Sequence, residues 1–317
     1  MTKPDLDELG FDDALQSAVA FLINPPPPPA DETAPPQQAR AFWEAATAVY
    51  NRGAPDRPVE RNVELREGSD DALTADIYLP DGDGPHPVVL FIHGGAWIVG
   101  SPATHHKLTC RFAEAGYLVI SVDYALAPER PYPAGLDDCL FTADWALAHA
   151  SLYGGDAERM AISGDSAGGN LAAAVVAKQL ERDGVTSFRA ASLLYGVYDW
   201  ALLERIPVGL PFYDWRNAEH AAPRYHGDAP PSDPGISPAC SPHLAGFPPT
   251  QLLAGSDDPL LAQTLTFAAD LQKAGVATDL HLYDGMPHGF LQVEEYPGCG
   301  EGLAEIWTFL GSHLADS

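Results

Sequence analysis

Short apolar runs recur along the chain, and longer segments with helical spacing separate them. Strands are predicted near residues 60–66, 72–79, 87–93, 116–123, 159–164, 191–197, 250–255 and 278–283. Helical segments alternate with these runs from about residue 104 onward. Such alternation is typical of an α/β protein in which helices cover both faces of a largely parallel sheet. We therefore predict an α/β fold with about eight strands, mostly parallel, of which the first are antiparallel.

Two segments before residue 56 lie outside this alternation. Residues 9–23 and 37–50 carry apolar side chains at helical spacing, and the stretch from Pro25 to Pro29 between them is typical of a stiff polyproline spacer. The two predicted helices form either an extension packed on the surface or a cap over a binding site. The pattern alone leaves both interpretations open.

One pentapeptide, Gly164-Asp165-Ser166-Ala167-Gly168, stands between a predicted strand and a predicted helix. The apolar run Arg159–Ser163 precedes it, and the alanine-rich stretch Asn170–Leu180 follows it. Glycine on each side lets the backbone take a turn that a Cβ would obstruct, so the serine hydroxyl is presented at the sheet edge. The pattern predicts a nucleophile elbow with Ser166 as the nucleophile.

The segment His93-Gly94-Gly95-Ala96-Trp97 follows the apolar run Pro87–Ile92, which is typical of a central strand. Glycine amides at a strand end leave N–H groups unobstructed, as an oxyanion hole requires. We predict the amides of Gly94, Gly95 and Ala167 as the donors. His93 itself is predicted to hold the loop rather than to transfer protons.

A serine nucleophile needs a base, and His288 is the best placed of the eleven histidines. It follows the alternating strand 278–283 in a loop, and so lies at the carboxyl edge of the sheet. The remaining candidates are predicted to be solvated or capping residues: His105 and His106 at a helix start, and His220, His226 and His243 in a loop-rich insert.

The acid that orients the base is predicted to be Asp258. It follows the strand 250–255, and the proline after it favours an extended backbone that projects its side chain in a fixed direction. About thirty residues separate it from His288, enough for one helix and one strand. Asp257 and Asp284 are the alternatives: the first would point to the opposite side, and the second would cap a turn.

With these residues in place, the chain resembles the hormone-sensitive-lipase-like branch (bacterial family IV) of the α/β-hydrolases over roughly residues 58 to 315. The resemblance rests on His93–Trp97, Gly164–Gly169, Asp258-Pro259-Leu260 and His288-Gly289-Phe290. A fifth segment, Asp123–Glu129, resembles the family's Y-R-L-A-P-E motif but has Ala125 in place of the arginine. Leu261-Ala262 stands where the family often has a second aspartate.

The resemblance implies a serine carboxylic-ester hydrolase that works through an acyl-enzyme, on short-chain acyl or aryl esters, without metal or organic cofactor. Residues 1–55 would form an N-terminal helical cap segment and residues 56–317 the catalytic domain, with a cap insert at about 199–242. An amidase, carbamate hydrolase or lactonase with the same triad stays open, as does a non-catalytic small-molecule receptor on this fold. The substrate pocket is expected to include aromatic residues, namely Trp97, Tyr198, Trp200, Phe212, Tyr213 and Trp215.

The net charge of the chain indicates which binding partners to expect, but it says nothing about the reaction. Seventeen basic and 44 acidic residues give a net charge of −27, which disfavours binding to nucleic acid or to an anionic membrane. The N-terminal apolar stretch is short and interrupted, so neither a signal peptide nor membrane insertion is expected. We predict a cytoplasmic enzyme with a small-molecule ester as its substrate, and homodimer formation stays open.

The four cysteines have no spacing that suggests a zinc site. Cys110 and Cys139 lie in predicted helices and are expected to be reduced thiols. A disulfide between Cys240 and Cys299 stays open as an alternative.

Overall fold

The structure of the chain, a computed structural model, describes residues 12–17, 36–68, 72–205 and 225–316. Eight strands form one sheet in the order β1-β2-β4-β3-β5-β6-β7-β8. The first two strands pair antiparallel to each other, β2 pairs antiparallel to β4, and all the remaining pairs are parallel. The strands are β1 Val59–Arg66, β2 Leu73–Tyr78, β3 His86–Ile92, β4 Leu118–Asp123, β5 Gly155–Asp165, β6 Ala190–Leu194, β7 Thr250–Gly255 and β8 Thr278–Tyr283.

Helices cover both faces of the sheet. Besides a helical stretch at residues 13–17, the main α-helices in the described part of the chain are α1 Pro36–Tyr50, α2 His106–Glu114, α3 Ala134–His149, α4 Ala167–Asp183, the short α5 Trp200–Leu203, α6 Leu261–Lys273 and α7 Pro297–Leu314. Side chains alternate between the two faces along β3: Val88 and Leu90 pack with α3, α4 and α6, whereas Val89 and Phe91 pack with α2 and α7. The central strands are buried on both sides, which explains their continuous apolar runs.

The predicted α/β fold is confirmed, including all eight strands and the antiparallel pairing of the first ones. Two boundaries differ by three or more residues. Strand β5 begins at Gly155, before the apolar run, because its first residues pair with the start of β3. Strand β6 ends at Leu194 rather than at residue 197, because Tyr195 has a φ of 42° and so leaves the extended backbone of the pleat.

The N-terminal segment packs on the α2 and α7 face. A helical stretch over residues 13–17 and helix α1 contribute Leu15, Ala46 and Tyr50 to that core. Beyond the end of α1, the Asn51 side chain donates to Ala103 O at 2.8 Å and accepts the Lys107 N–H at 2.9 Å. The predicted polyproline spacer lies outside the described residues.

The four cysteines are free thiols, so the alternative of a Cys240–Cys299 disulfide is wrong. Cys240 is exposed and Cys299 is buried, with its thiol donating to Leu291 O. Within the described ranges, no helix has the length and apolar character needed to span a membrane.

Candidate active site

Ser166 lies on a strained turn between β5 and α4. Its φ of 54° and ψ of −117° are unfavourable for a residue with a Cβ. A Cβ at Gly168 would overlap Ile92 O, and one at Gly164 would overlap the backbone of Gly168. The turn is therefore wedged against the end of β3, and only glycine fits on either side of it.

Ser166, His288 and Asp258 form a hydrogen-bonded chain. His288 Nε2 lies 2.8 Å from Ser166 Oγ, and His288 Nδ1 lies 2.9 Å from Asp258 Oδ2. The second carboxylate oxygen of Asp258 accepts the Leu260 N–H at 2.7 Å. All three side chains are less than a tenth exposed, so little water competes for these hydrogen bonds.

The two alternative acids do not reach the histidine. Asp257 and Asp284 are both exposed, and Ser256 Oγ donates to each of them at 3.3 Å. The chain turns directly after β7, where the Asp258 N–H donates to Gly255 O at 3.3 Å, and this turn leaves Asp257 exposed and Asp258 buried. Of the three candidate carboxylates, the structure brings Asp258 alone to the imidazole.

The sequence-based assignment of Gly94 to the oxyanion hole is wrong. Its N–H points into the protein and donates to Asp165 Oδ1 at 2.8 Å. One N–H cannot also serve an oxyanion on the other side of the loop. In the described part of the chain, the N–H groups of Gly95, Ala96 and Ala167 have no hydrogen-bond partner, so these N–H groups are the candidates for this role.

The sequence-based prediction did not include the Ala96 N–H among the oxyanion donors, because it considered only the glycines of this loop. The loop turns through left-handed backbone at Gly95, Ala96 and Trp97, with φ values of 127°, 52° and 62°. Alanine and tryptophan adopt such values at a cost that the surrounding structure must offset. No local sequence signal indicates that the left-handed stretch continues past the glycines.

His93 is completely buried and supports the loop. Its Nδ1–H donates to Gly94 O at 2.9 Å, and its ring stacks on Tyr124 with 4.3 Å between centroids. Burial, and to a lesser extent the neighbouring His105, lower the pKa of His93 to about 3. The imidazole is therefore neutral at working pH.

The expectation that His105 is a solvated or capping residue is wrong. Its side chain is fully buried, and its Nε2 lies 3.1 Å from Asp165 Oδ1. Gln292, four residues beyond His288, donates to Asp165 Oδ2 at 2.7 Å. Neither contact is visible from the sequence, because the partners lie 60 and 127 positions apart.

The described aromatic residues expected in the pocket form packed clusters. Trp97 stacks on Tyr225 at 4.4 Å between centroids and lies 5.4 Å from Trp200. Tyr198 is fully buried, stacks on Phe267, and accepts the Gly196 N–H at its hydroxyl. These contacts account for Trp97, Tyr198 and Trp200 as core residues. The other three expected pocket residues, Phe212, Tyr213 and Trp215, lie outside the described residues.

Ala125 stands where the family's motif has an arginine, and a cluster of charged side chains lies at this position of the structure. The Ala125 N–H donates to the buried carboxylate of Asp138 at 3.0 Å. Arg66 of β1 donates to the other oxygen of Asp138 at 2.5 Å, and Arg130 lies 3.5 Å from the carboxylate. Cations from elsewhere in the chain thus balance this carboxylate beneath the loop.

Replacing Gly168 with alanine is expected to lower the free energy of unfolding by about 1–3 kcal/mol, because the new Cβ overlaps Ile92 O. Gly300 is the matched control. It also lies in a helix but has open space at the Cβ position, so Gly300→Ala should stabilise by about 0.5–1 kcal/mol. Urea unfolding of the two variants measures both effects. Equal stabilities would contradict the wedged elbow.

His93 is expected to make the protein sensitive to acid. The folded state keeps this imidazole neutral, whereas the unfolded chain binds a proton below about pH 6.5. Its contribution to stability is thus complete above that pH and falls by about 1.4 kcal/mol per pH unit between pH 6.5 and 3. Urea unfolding at pH 7 and 4.5 should show a smaller difference for His93→Gln than for the wild type. His243→Gln, which changes an exposed histidine, should keep the wild-type difference.

Comparisons with known proteins agree with this geometry. A family model described as an α/β-hydrolase fold matches residues 89–292. The carboxylic ester hydrolase LipN of Mycobacterium tuberculosis is 34% identical over 261 residues, which is 75% of this chain and 66% of LipN. The ethyl acetate hydrolase of Pseudomonas putida is 30% identical over 295 residues, 87% of this chain and 90% of that enzyme.

A solved structure and a mammalian lipase extend these similarities. The crystal structure of a thermostable esterase from Pseudomonas putida superposes with a TM-score of 0.82 at 25% identity, covering 96% of this chain and 98% of that one. Mouse hormone-sensitive lipase is 34% identical over 162 residues, 47% of this chain and 19% of that protein. The chain therefore belongs to the hormone-sensitive-lipase-like branch, bacterial family IV, of the α/β-hydrolases.

Proposed function

We propose that this chain, a carboxylesterase, hydrolyses short-chain acyl or aryl esters through an acyl-enzyme formed on Ser166. The observation that carries the proposal is the continuous hydrogen-bonded chain from Ser166 Oγ through His288 to Asp258, with distances of 2.8 and 2.9 Å. This arrangement activates a hydroxyl for attack on a carbonyl carbon.

The hydrogen bonds determine which nitrogen of His288 acts as the base. An ionised carboxylate only accepts hydrogen bonds, so Nδ1 carries the proton that faces Asp258. In neutral imidazole the other nitrogen, Nε2, then uses its lone pair to accept the hydrogen bond from the Ser166 hydroxyl. His288 is thus poised to take the serine proton during attack and to return it to the leaving alcohol.

The oxyanion of the tetrahedral intermediate would be held by the amides of Gly95, Ala96 and Ala167. The first two come from the loop after β3, and the third begins helix α4. A helix N-terminus carries partial positive charge, which favours a negative oxygen beside Ser166. Water activated by His288 would then release the acid, and every step uses only side chains, backbone amides and water.

The short-chain preference is supported by the names of relatives rather than by a described pocket. One relative is an ethyl acetate hydrolase and another is a versiconal hemiacetal acetate esterase, so both are named for esters of acetic acid.

The part of the insert in which Phe212, Tyr213 and Trp215 lie is outside the described residues. We propose that it forms a cap together with the N-terminal segment.

Helix α1 is tied to the loop that carries the oxyanion amides, which supports its role in the cap. Arg40 donates to Ile98 O at 2.9 Å and to Ala127 O at 3.1 Å, and it forms a bidentate pair with Glu129. The Ala127 N–H in turn donates to Trp97 O. One guanidinium therefore connects the N-terminal helix with both loops beside the site.

Ser166→Ala should reduce kcat for p-nitrophenyl acetate by about 10⁴-fold or more while the thermal transition stays near that of the wild type. A series of p-nitrophenyl esters from acetyl to decanoyl should show a maximum at six carbons or fewer. Matched anilides, carbamates and lactones test the other reactions that the triad permits.

The serine assignment has a direct chemical control. A fluorophosphonate should add one covalent group to the wild type, and peptide mass spectrometry should locate it on Ser166. A folded Ser166→Ala variant that keeps a tenth of wild-type activity would overturn the assignment. A higher kcat/KM for anilides than for esters would replace esterase by amidase as the main activity.

Arg40→Ala should lower kcat/KM by roughly tenfold, because the loop beside the nucleophile loses its connection to α1. Arg52→Ala is the matched control. This residue follows the same helix, but its ion pair with Asp12 is more than half exposed on both sides, so activity should stay within about twofold. Arg40→Lys should recover only part of the loss, since a lysine cannot form the bidentate pair. Equal activities of the Arg40 and Arg52 variants would show that α1 is only a surface extension.

A further inference from the structure

A buried carboxylate lies directly behind the nucleophile and has no part in the chemistry proposed above. Asp165 precedes Ser166 and is 1% exposed. It accepts hydrogen bonds from the Gly94 N–H at 2.8 Å and from Gln292 Nε2 at 2.7 Å. His105 Nε2 lies 3.1 Å from Oδ1 and 3.3 Å from Oδ2.

The segments that meet at this carboxylate each carry part of the proposed machinery. Gly94 opens the loop that contains the Gly95 and Ala96 amides. Gln292 stands four residues after His288, in the short turn Phe290–Gln292. Asp165 itself ends β5 at the elbow. One side chain therefore connects the nucleophile, the oxyanion loop and the loop of the general base.

The energetics favour an ionised, fully paired group. Burial alone raises the pKa of a carboxyl, but here the neighbouring His105 and the Gly94 N–H outweigh burial and lower the pKa of Asp165 below its ordinary value. A buried charge costs several kcal/mol unless it is paired and hydrogen-bonded. The Gly94 N–H, Gln292 Nε2 and His105 Nε2 all lie against the Asp165 carboxylate, and Gln292 Nε2 also lies 3.0 Å from His105 Nε2. Loss of the carboxylate would therefore leave buried polar groups without their acceptor.

The position of the Gly94 hydrogen bond matters for catalysis. Anchoring the Gly94 N–H inward fixes the first peptide plane of a loop that then passes through three left-handed residues. Such backbone persists only where the surroundings hold it. Misplacing an oxyanion donor or a base by about 1 Å can cost on the order of 10²-fold in rate.

We propose that Asp165 is a positioning residue that, through Gly94 and Gln292, holds the oxyanion amides and His288 in register with Ser166. The proposal rests on the esterase function proposed above. The proposal predicts that kcat depends on which side chain at positions 165 and 292 donates and which accepts hydrogen bonds, and not on the size of these side chains.

Exchanging the roles of the two side chains tests this directly. Asp165→Asn places an amide N–H₂ against the donors of Gln292 and His105. Gln292→Glu places two carboxylates 2.7 Å apart. The double variant restores a matched set. In it, the amide oxygen at position 165 accepts the Gly94 N–H, the amide nitrogen at that position donates to the new carboxylate at position 292, and His105 donates to this carboxylate as well.

Each single variant should lose roughly 10–100-fold in kcat with KM changed less than about threefold, whereas the double variant should recover to within about threefold of the wild type. Phenylboronic acid, which forms a tetrahedral adduct on the serine, should lose affinity in both single variants and regain it in the double variant. A purely structural role would shift the melting temperature without this separation of kcat from KM.

Gln179→Glu is the matched control. It introduces a carboxylate at another buried glutamine, one that bonds Thr186 and Ser187 away from the site, and its kcat should remain within about threefold of the wild type. Should Asp165→Asn not fold, Gln292→Met removes one donor at similar volume and should still lower kcat about fivefold with KM unchanged.

Three results would overturn the proposal. They are an unchanged kcat in the folded single variants, a change in KM as large as the change in kcat, and a folded double variant whose kcat is no higher than that of the single variants. Fluorophosphonate labelling of wild-type Ser166 separates this outcome from failure of the esterase function. An unlabelled wild type would refute the function itself, whereas a labelled wild type with unaffected variants would refute only the positioning role.

Discussion

The strained turn at Ser166 is the constraint on which the rest of the site depends. It fits because glycine at positions 164 and 168 lets the elbow lie against the carbonyl end of β3. The same close approach brings the loop after β3 beside the nucleophile, and it places the first amide of α4 next to Ser166 Oγ. A parallel sheet gathers the other strand ends at this edge, so His288 and Asp258 arrive there from β8 and β7.

Left-handed backbone is concentrated around this point. Of the five non-glycine residues with positive φ in the described chain, Ala96, Trp97, Ser166 and Tyr195 lie at strand ends beside the site. The ring of Tyr195 meets the His288 imidazole edge-on, with 5.0 Å between centroids. Strain of this kind is stable only where dense packing and hydrogen bonds determine the geometry, which is how the buried sheet supports catalysis.

Buried carboxylates and surface carboxylates serve different purposes in this acidic chain. Asp258, Asp165 and Asp138 are each less than a twentieth exposed, and each is surrounded by donors. The surplus that gives the net charge of −27 cannot be paired in this way, because the chain has only 17 basic residues. Negative charge is thus used inside the protein to fix loops, and its excess gives an acidic molecule.

Local patterns in the sequence are sufficient to predict the fold and the three residues that the structure brings into the hydrogen-bonded chain. Strand periodicity, glycines around a serine, and a histidine and an aspartate at strand ends are local signals, and the parallel sheet converts them into one site. The direction of the Gly94 N–H, the burial of His105 and the hydrogen bond from Gln292 to Asp165 become visible only in the folded chain. It also placed Trp97, Tyr198 and Trp200 in packed clusters. These properties depend on partners tens of residues away, and the direction of one N–H or the burial of one imidazole leaves no periodic trace in the sequence.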